Sequence, residues 1–310
     1  MAIALTFPGQ GSQAVGMGKA LADAFAPARA VFEEVDAALG DRLSAIMWEG
    51  PAEKLTLTEN TQPALLAVSV AAVRVLEAEA GLDVGRDSRF VAGHSLGEYS
   101  ALAAAGSFSL ADAAKLVRIR GRAMQQAVPV GKGAMAALLG LEPKVVKEIA
   151  AEAAQGEVCA AANDNAPGQI VVSGAKAAVE RAVEIAKSRG ARAMMLPVSA
   201  PFHCSLMQPA ADAMRDALSK VKVAAPKAPL VPNVSANPVN DPAEIVRGLI
   251  EQVTGTVRWR ECVHYLVTHG VDRLVEVGSG KVLTGLAKRI AKDATAVSIA
   301  TPEDVAAFKV

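Results

Sequence analysis

Short apolar runs alternate along this chain with longer stretches in which Ala, Leu and Val recur every three or four residues, the mark of an α/β fold. The runs at 2–7, 89–93 and 271–277 read as buried strands. Helical periodicity is clearest over 61–80, 96–105, 109–126, 203–220, 259–269 and 280–291. The stretch 223–242 is rich in Pro and is expected to cross the surface as a connection.

One segment keeps a different rhythm. From Gly133 the pattern reads strand (134–139), helix (143–154), strand (157–162), strand (169–173), helix (175–188), strand (191–196), with Asn163 to Gly168 as the turn between the middle pair. That order, β-α-β-β-α-β, is the ferredoxin-like arrangement. Pro129 and Pro197 stand at its two edges. The expected organisation is therefore a large α/β subdomain formed by 1–127 and 198–310, with 128–197 inserted as a ferredoxin-like small subdomain.

Composition narrows the function classes. The 310 residues carry 32 Lys and Arg against 32 Asp and Glu, a net charge of zero, and 52% are hydrophobic. A chain without a positive field lacks the footprint of a nucleic-acid binder, and no polybasic segment is present to hold a membrane surface. So high an apolar content excludes disorder. The longest run free of charged residues, Ala193 to Ala211, holds three prolines and His203, which rules out a simple spanning helix. The first residues show no basic leader and break at Pro8-Gly9. Cys159, Cys204 and Cys262 are odd in number and widely spaced, which points to reduced thiols in the cytoplasm and away from disulfides or zinc.

Candidate chemistry begins at Gly93-His94-Ser95-Leu96-Gly97, set between the strand Arg89–Ala92 and a helical stretch. G-x-S-x-G alone is a weak pattern, but strand, sharp turn and helix are the context a nucleophile elbow requires. The Leu96 N–H, at the helix N-terminus, would face an oxyanion formed on an acyl group at Ser95. The plainer alternative is that Ser95 only caps the helix. Of four histidines, His94 is expected to project away from Ser95, and His264 and His269 belong to a surface helix that ends at Gly270. His203 remains, in a Pro-stiffened junction between strand and helix where catalytic groups of α/β sheets gather.

Helix 109–126 carries Lys115, Arg118 and Arg122 at spacings of three and four, and these read as one solvated stripe. Arg120 lies instead in line with Leu110, Ala113, Ala114, Val117 and Met124 on the apolar face. A buried guanidinium needs an anion, and no carboxylate lies one turn away. Two partners fit: a substrate carboxylate held bidentately, or a distant Asp or Glu in a structural ion pair. Two phosphate-loop patterns carry less weight. Gly9 to Ala14 matches G-x-G-x-x-A, yet the acidic residues Glu33 and Glu34 that should end a second strand sit in a helical pattern. Gly278-Ser279-Gly280-Lys281 looks like the tail of a P-loop, but Val275 and Val282 occupy positions that motif fills with Gly and Ser or Thr.

Taken together, Phe7 to Gln13, Gly93 to Tyr99, Arg118-Ile119-Arg120-Gly121, Asn163 to Gln169 and Glu276 to Gly280 make the chain resemble the malonyl-CoA:acyl carrier protein transacylases of fatty-acid synthesis over almost its whole length. The resemblance implies an α/β-hydrolase-like large subdomain with the ferredoxin-like insertion. It implies Ser95 as nucleophile, His203 as general base and then acid, and Arg120 as the clamp on the malonyl carboxylate. The amides of Gln10 and Leu96 would form the oxyanion hole, and the main-chain carbonyl of Gln252, on helix 244–254, would orient His203. Asn165 joins the substrate-binding set, and Phe202 is similar to the bulky residue found before the histidine in malonyl-selective members. The family needs no cofactor and no metal; its substrates are malonyl-CoA and phosphopantetheinylated acyl carrier protein.

The partners so implied are malonyl-CoA and an acidic carrier protein, met by a monomer through Lys115, Arg118 and Arg122 or through Arg258, Arg260, Lys281, Lys288 and Arg289. Competing readings are the acyltransferase subunit of a malonate-decarboxylase or polyketide system, a serine esterase built on the same elbow, and a dinucleotide-binding oxidoreductase.

Overall fold

The computed structural model describes residues 2–310. Among them, strands β1 (Ile3–Phe7), β2 (Ser88–Gly93), β3 (Gly133–Leu139), β4 (Cys159–Ala166), β5 (Gln169–Ala175), β6 (Arg192–Met195), β7 (Arg273–Val277) and β8 (Thr295–Ile299) form two sheets. The first is parallel, in the order β2-β1-β7-β8. Phe7 pairs with Gly93 and Thr6 with Glu276, so β1, β2 and β7 end together on one edge. Loops that leave the carboxyl ends of parallel strands are where such sheets place ligands.

The second sheet is antiparallel, in the order β4-β5-β3-β6. The helices Pro143–Ala154 and Lys176–Ser188 connect its strands in β-α-β-β-α-β order, the expected ferredoxin-like unit. Its strands show the two-residue period of a sheet covered on both sides. Ala134, Ala136 and Leu138 face the sheet's own helices, whereas Met135 and Ala137 join the main core. The small unit thus lends one face to the wall of the site.

The main core is organised by the helix Thr58–Ala80, which is apolar on nearly every side and packs against the helix Leu110–Ala127. A helix buried all round loses its amphipathic signature, and because its opening residues Thr58, Glu59 and Asn60 are polar the apolar pattern marks it only from residue 61. The Leu110–Ala127 helix starts where the cap signal places it: Ser109 Oγ accepts the Asp112 N–H at 3.0 Å.

Several expectations change. The helix expected over 203–220 is a short 3₁₀ turn (Ser205–Met207) followed by an α-helix from Gln208 to Leu218. Pro209 sets that start, because proline is accommodated in a first helical turn. His203 therefore lies outside the helix, with φ at +58°. The turn expected from Asn163 shrinks, since β4 runs through Asn163, Asp164 and Asn165 to Ala166. The Pro-rich stretch crosses the surface only at its two ends: Leu230 and Val231 in its middle are buried beside β2, Pro229 O accepts the Val91 N–H and Val231 N–H donates to Val91 O. Extended, proline-rich backbone suits an edge position because it needs few ladder donors. The Lys115, Arg118 and Arg122 stripe also breaks. Arg118 is buried, with its guanidinium on Asn60 Oδ1 at 2.8 Å and on Asp41 at 3.0 Å, because the start of the Thr58–Ala80 helix covers that face.

Both phosphate-loop look-alikes have structural explanations. No helix opens at Gly9–Ala14; the next one starts at Lys19, and a Cβ at Gly9 would stand 2.6 Å from His94 O. The N-terminus of the helix Val282–Ile290 is filled by Glu276, whose buried carboxylate accepts the Leu283 and Thr284 N–H groups at 3.0 and 2.7 Å. An anion of the chain itself occupies the place a phosphate would take.

Candidate active site

β2 ends at Gly93, and the chain reverses through His94 and Ser95 into the helix Gly97–Ala104. Ser95 has φ at +53°, a left-handed conformation that costs an L-residue of order 1 kcal/mol and persists only where its surroundings enforce it. Close packing does so here. A Cβ at Gly93 would lie 1.9 Å from the Gly97 carbonyl carbon, and one at Gly97 would lie 2.2 Å from Phe7 O. The two glycines of G-x-S-x-G let the helix press onto the strand ends, and the turn thereby lifts the serine into a cavity.

Ser95 Oγ lies 2.8 Å from His203 Nε2, and His203 Nδ1 lies 2.9 Å from the Gln252 carbonyl oxygen at the end of the helix Pro242–Gln252. A carbonyl only accepts, so the proton of the neutral ring sits on Nδ1 and the Nε2 lone pair faces the serine hydroxyl. Burial, then the nearby Arg120 charge, pushes the His203 pKa down to about 3. The ring is neutral, as a base must be, throughout the physiological range.

Arg120 is 1% exposed and, among the described residues, forms no ion pair. Its Nη1 donates to Gln62 Oε1 at 2.9 Å, and its Nη2 reaches Gln252 Oε1 at 2.8 Å and Ser95 Oγ at 3.1 Å. The Tyr99 ring lies beneath the guanidinium, 5.8 Å from Cζ to centroid. Of the two partners open to Arg120 at the sequence level, a distant structural carboxylate is absent from its contacts. The fork is held by neutral groups, next to the nucleophile.

The cavity they share has a volume of about 170 Å³. Gln10, Ser95, Leu96, Arg120, Asn165, Phe202 and His203 all line it, and Met124, Met135, Val171, Leu196 and Val198 supply apolar walls. Gln252 stands behind, fully buried, touching Arg120, His203 and the Ser95 carbonyl. His94 departs from expectation by facing the same cavity. Its Nε2 is 2.8 Å from Asn165 Oδ1, which leaves it bound to the small sheet and not to Ser95. His269 stacks on Tyr265, with ring centroids 3.8 Å apart, outside the site.

Two contributors had no sequence signal. Gln62 closes the polar opening Thr58-Glu59-Asn60-Thr61 of its helix, a run that reads as a solvated first turn although all of it but Glu59 is buried. Asn233 lies in the Pro-rich connection and is fully buried; its Oδ1 accepts the Ser95 N–H at 2.8 Å and its Nδ2 donates to Gly93 O at 2.7 Å. Glu98, three residues after the nucleophile, accepts the Asn233 backbone N–H at Oε1, while its Oε2 has no partner among the described residues. Burial raises the pKa of this carboxyl to about 7.

The arrangement is that of an acyl-transfer site with a Ser-His pair and a carbonyl in the third position. The acyl transferase domain family matches residues 5–302. A malonyl CoA-acyl carrier protein transacylase of Escherichia coli (strain K12) is 47% identical over 305 residues, covering 98% of this chain and 97% of the relative. The crystal structure of an acyl-carrier-protein S-malonyltransferase from Bartonella henselae superposes with a TM-score of 0.97 at 59% identity, covering 99% and 98% of the two chains. A malonyl transacylase solved in complex with its type II polyketide-synthase acyl carrier protein superposes at 0.95 with 42% identity, over 99% and 98%. The chain belongs to the acyl transferase family, among its malonyl CoA-acyl carrier protein transacylases.

Proposed function

We propose that this chain transfers the malonyl group of malonyl-CoA to the phosphopantetheine thiol of an acyl carrier protein, through a malonyl ester on Ser95. The observation that carries this reading is the buried guanidinium of Arg120, which forms no ion pair among the described residues and stands 3.1 Å from the serine oxygen. A carboxylate at that distance from the reacting carbon is what distinguishes malonyl from acetyl. The bidentate geometry of Arg suits it.

In the first half-reaction the malonyl carboxylate occupies Arg120 and His203 Nε2 takes the proton of Ser95 Oγ as the oxygen attacks the thioester carbonyl. The negative charge that develops is received by the backbone amides of Gln10 and Leu96, dipoles already oriented before the charge forms. Collapse expels CoA as a thiol that carries the proton from His203. The carrier thiol then enters, gives its proton to the same nitrogen and takes the malonyl group, and Ser95 is regenerated. A thioester is exchanged for a thioester, so the relay needs neither metal nor redox cofactor. Phe202, at the cavity wall beside His203, is proposed to crowd an α-methyl branch and Asn165, held by His94, to line the acyl path. Apolar walls on the small-sheet side keep water from the ester, and this argues for a thiol acceptor over an esterase.

We read the catalyst as a monomer. We read residues 128–197 as the small subdomain and 1–127 with 198–310 as the large one, and we place the enzyme in the cytoplasm on its free thiols. Among the described residues no helix is long and apolar enough to cross a membrane. For the acidic carrier, Arg258 is already paired with Glu261, Arg260 with Asp164 and Arg122 with Glu59. Lys281, Lys288 and Arg289 are exposed, without ion pairs among the described residues, and are the cations we propose for docking. Initial rates measured with both substrates varied are expected to give parallel double-reciprocal lines, the mark of a covalent relay. Intersecting lines would contradict it.

A further inference from the structure

Glu98 is a fully buried carboxyl that the transfer chemistry does not use, and burying a titratable group without a function is costly. Its connections are specific. Glu98 Oε1 accepts the Asn233 backbone N–H. Asn233 spends its side chain on the elbow: Oδ1 accepts the Ser95 N–H at 2.8 Å and the Gln252 Nε2–H at 3.4 Å, and Nδ2 donates to Gly93 O at 2.7 Å. Gln252 completes the circuit, giving its Nε2–H to Ser95 O at 2.9 Å and its carbonyl to His203 Nδ1. The nucleophile, held at a left-handed φ, is thus tied on both sides to one asparagine, which also meets the side chain of the residue whose carbonyl orients the base. That asparagine lies in the Pro-rich connection, where its carbonyl accepts the Arg258 N–H at 3.1 Å and its own backbone N–H is held by Glu98.

We propose that Glu98 is a positioning residue for acyl transfer: as the acceptor for the Asn233 N–H, it sets the alignment of Ser95 with His203. It touches no reacting atom. Its effect runs through Asn233 and Gln252, so removal of the acceptor should misalign attack while leaving the Arg120 contact with Gln62 intact. The proposal rests on the acyl-transfer reading above.

Two variants of the full-length protein separate alignment from folding. Glu98→Met keeps the volume and removes the acceptor; Glu98→Gln keeps an acceptor oxygen for the Asn233 N–H and replaces the other oxygen by an uncharged NH2. The rate of Ser95 acylation by malonyl-CoA is measured by rapid quench, alongside KM and the melting temperature. Misplacement of reacting groups by about 1 Å costs about 100-fold. The expected result is a Glu98→Met protein that is folded at the assay temperature, acylates about 10- to 100-fold more slowly and keeps KM for malonyl-CoA within about threefold. Glu98→Gln is expected within about threefold of the wild-type rate. A folded Glu98→Met protein with the wild-type rate overturns the proposal, and so does a folded Glu98→Gln protein slowed more than about tenfold, which decides the matter even if Glu98→Met does not fold. Wild-type protein that fails to acylate in the same assay would instead remove the reading on which the proposal rests.

Discussion

Replacement of Ser95 by Ala, or of His203 by Ala, is expected to lower malonyl transfer by a factor on the order of 10⁴ to 10⁶, with the double variant little worse than either single one. The two side chains act as one unit. Without the 2.8 Å contact to His203 Nε2 the serine hydroxyl has no acceptor for its proton, and without Ser95 the imidazole has nothing to activate. Additive losses would mean that the pair does not share a step. The pH dependence follows from the same geometry. The neutral ring is the active form, and it is populated above its pKa and lost as pH falls through it. Because burial and the Arg120 charge push His203 down to about 3, the acid limb contributed by this residue in kcat/KM should lie well below the ordinary histidine value near 6.5. A limb at that ordinary value would show that His203 is not held in the desolvated, cation-flanked setting described here.

Arg120→Ala is expected to reduce the preference for malonyl over acetyl by at least about tenfold. A charge-assisted hydrogen bond contributes about 1.5–3 kcal/mol, and each 1.4 kcal/mol is about a factor of ten. Competition between the two acyl-CoA substrates for Ser95 measures it directly. Most of the change should be lost malonyl transfer, with acetyl transfer retained or raised, because acetyl leaves the wild-type guanidinium buried without a charge partner. Arg120→Lys should restore only part of the preference, since a point charge cannot fork onto a carboxylate. Removing the cation also favours protonated His203, which raises its pKa and moves the acid limb to higher pH. An unchanged malonyl-to-acetyl ratio would remove Arg120 from substrate recognition.

The features legible in the sequence were those that break a local rule. Gly93 to Gly97 combines a strand end, a turn only glycine-flanked backbone can make and a helix start. Arg120 is out of phase with the charged positions of its own helix, and the structure puts it where the apolar periodicity requires. The β-α-β-β-α-β unit announced itself by switching between periods of 2 and 3.6. What stayed hidden was set by tertiary contact. Arg118 has the spacing of a solvated residue, yet Asn60 and Asp41 from distant parts of the chain cover it. Asn233 sits in a stretch whose prolines signal a surface crossing, and only its pairing beside β2 buries it. Strand β8 is a short, half-exposed edge strand, too weakly apolar to stand out from a loop. His203 is legible as a lone histidine in a stiffened junction, but its left-handed φ and the Gln252 carbonyl it meets are not, because both depend on how distant segments pack.

The central claim is a covalent relay through one serine, and intact-mass measurement of the protein after mixing with malonyl-CoA tests it most directly. The expected spectrum shows one malonyl group, mapped by peptide fragmentation to Ser95, which persists in buffer and leaves on addition of phosphopantetheinylated carrier protein as malonyl-carrier accumulates. An unmodified protein that nonetheless transfers malonyl, or an adduct at Ser95 that water removes as fast as the carrier does, would contradict the account.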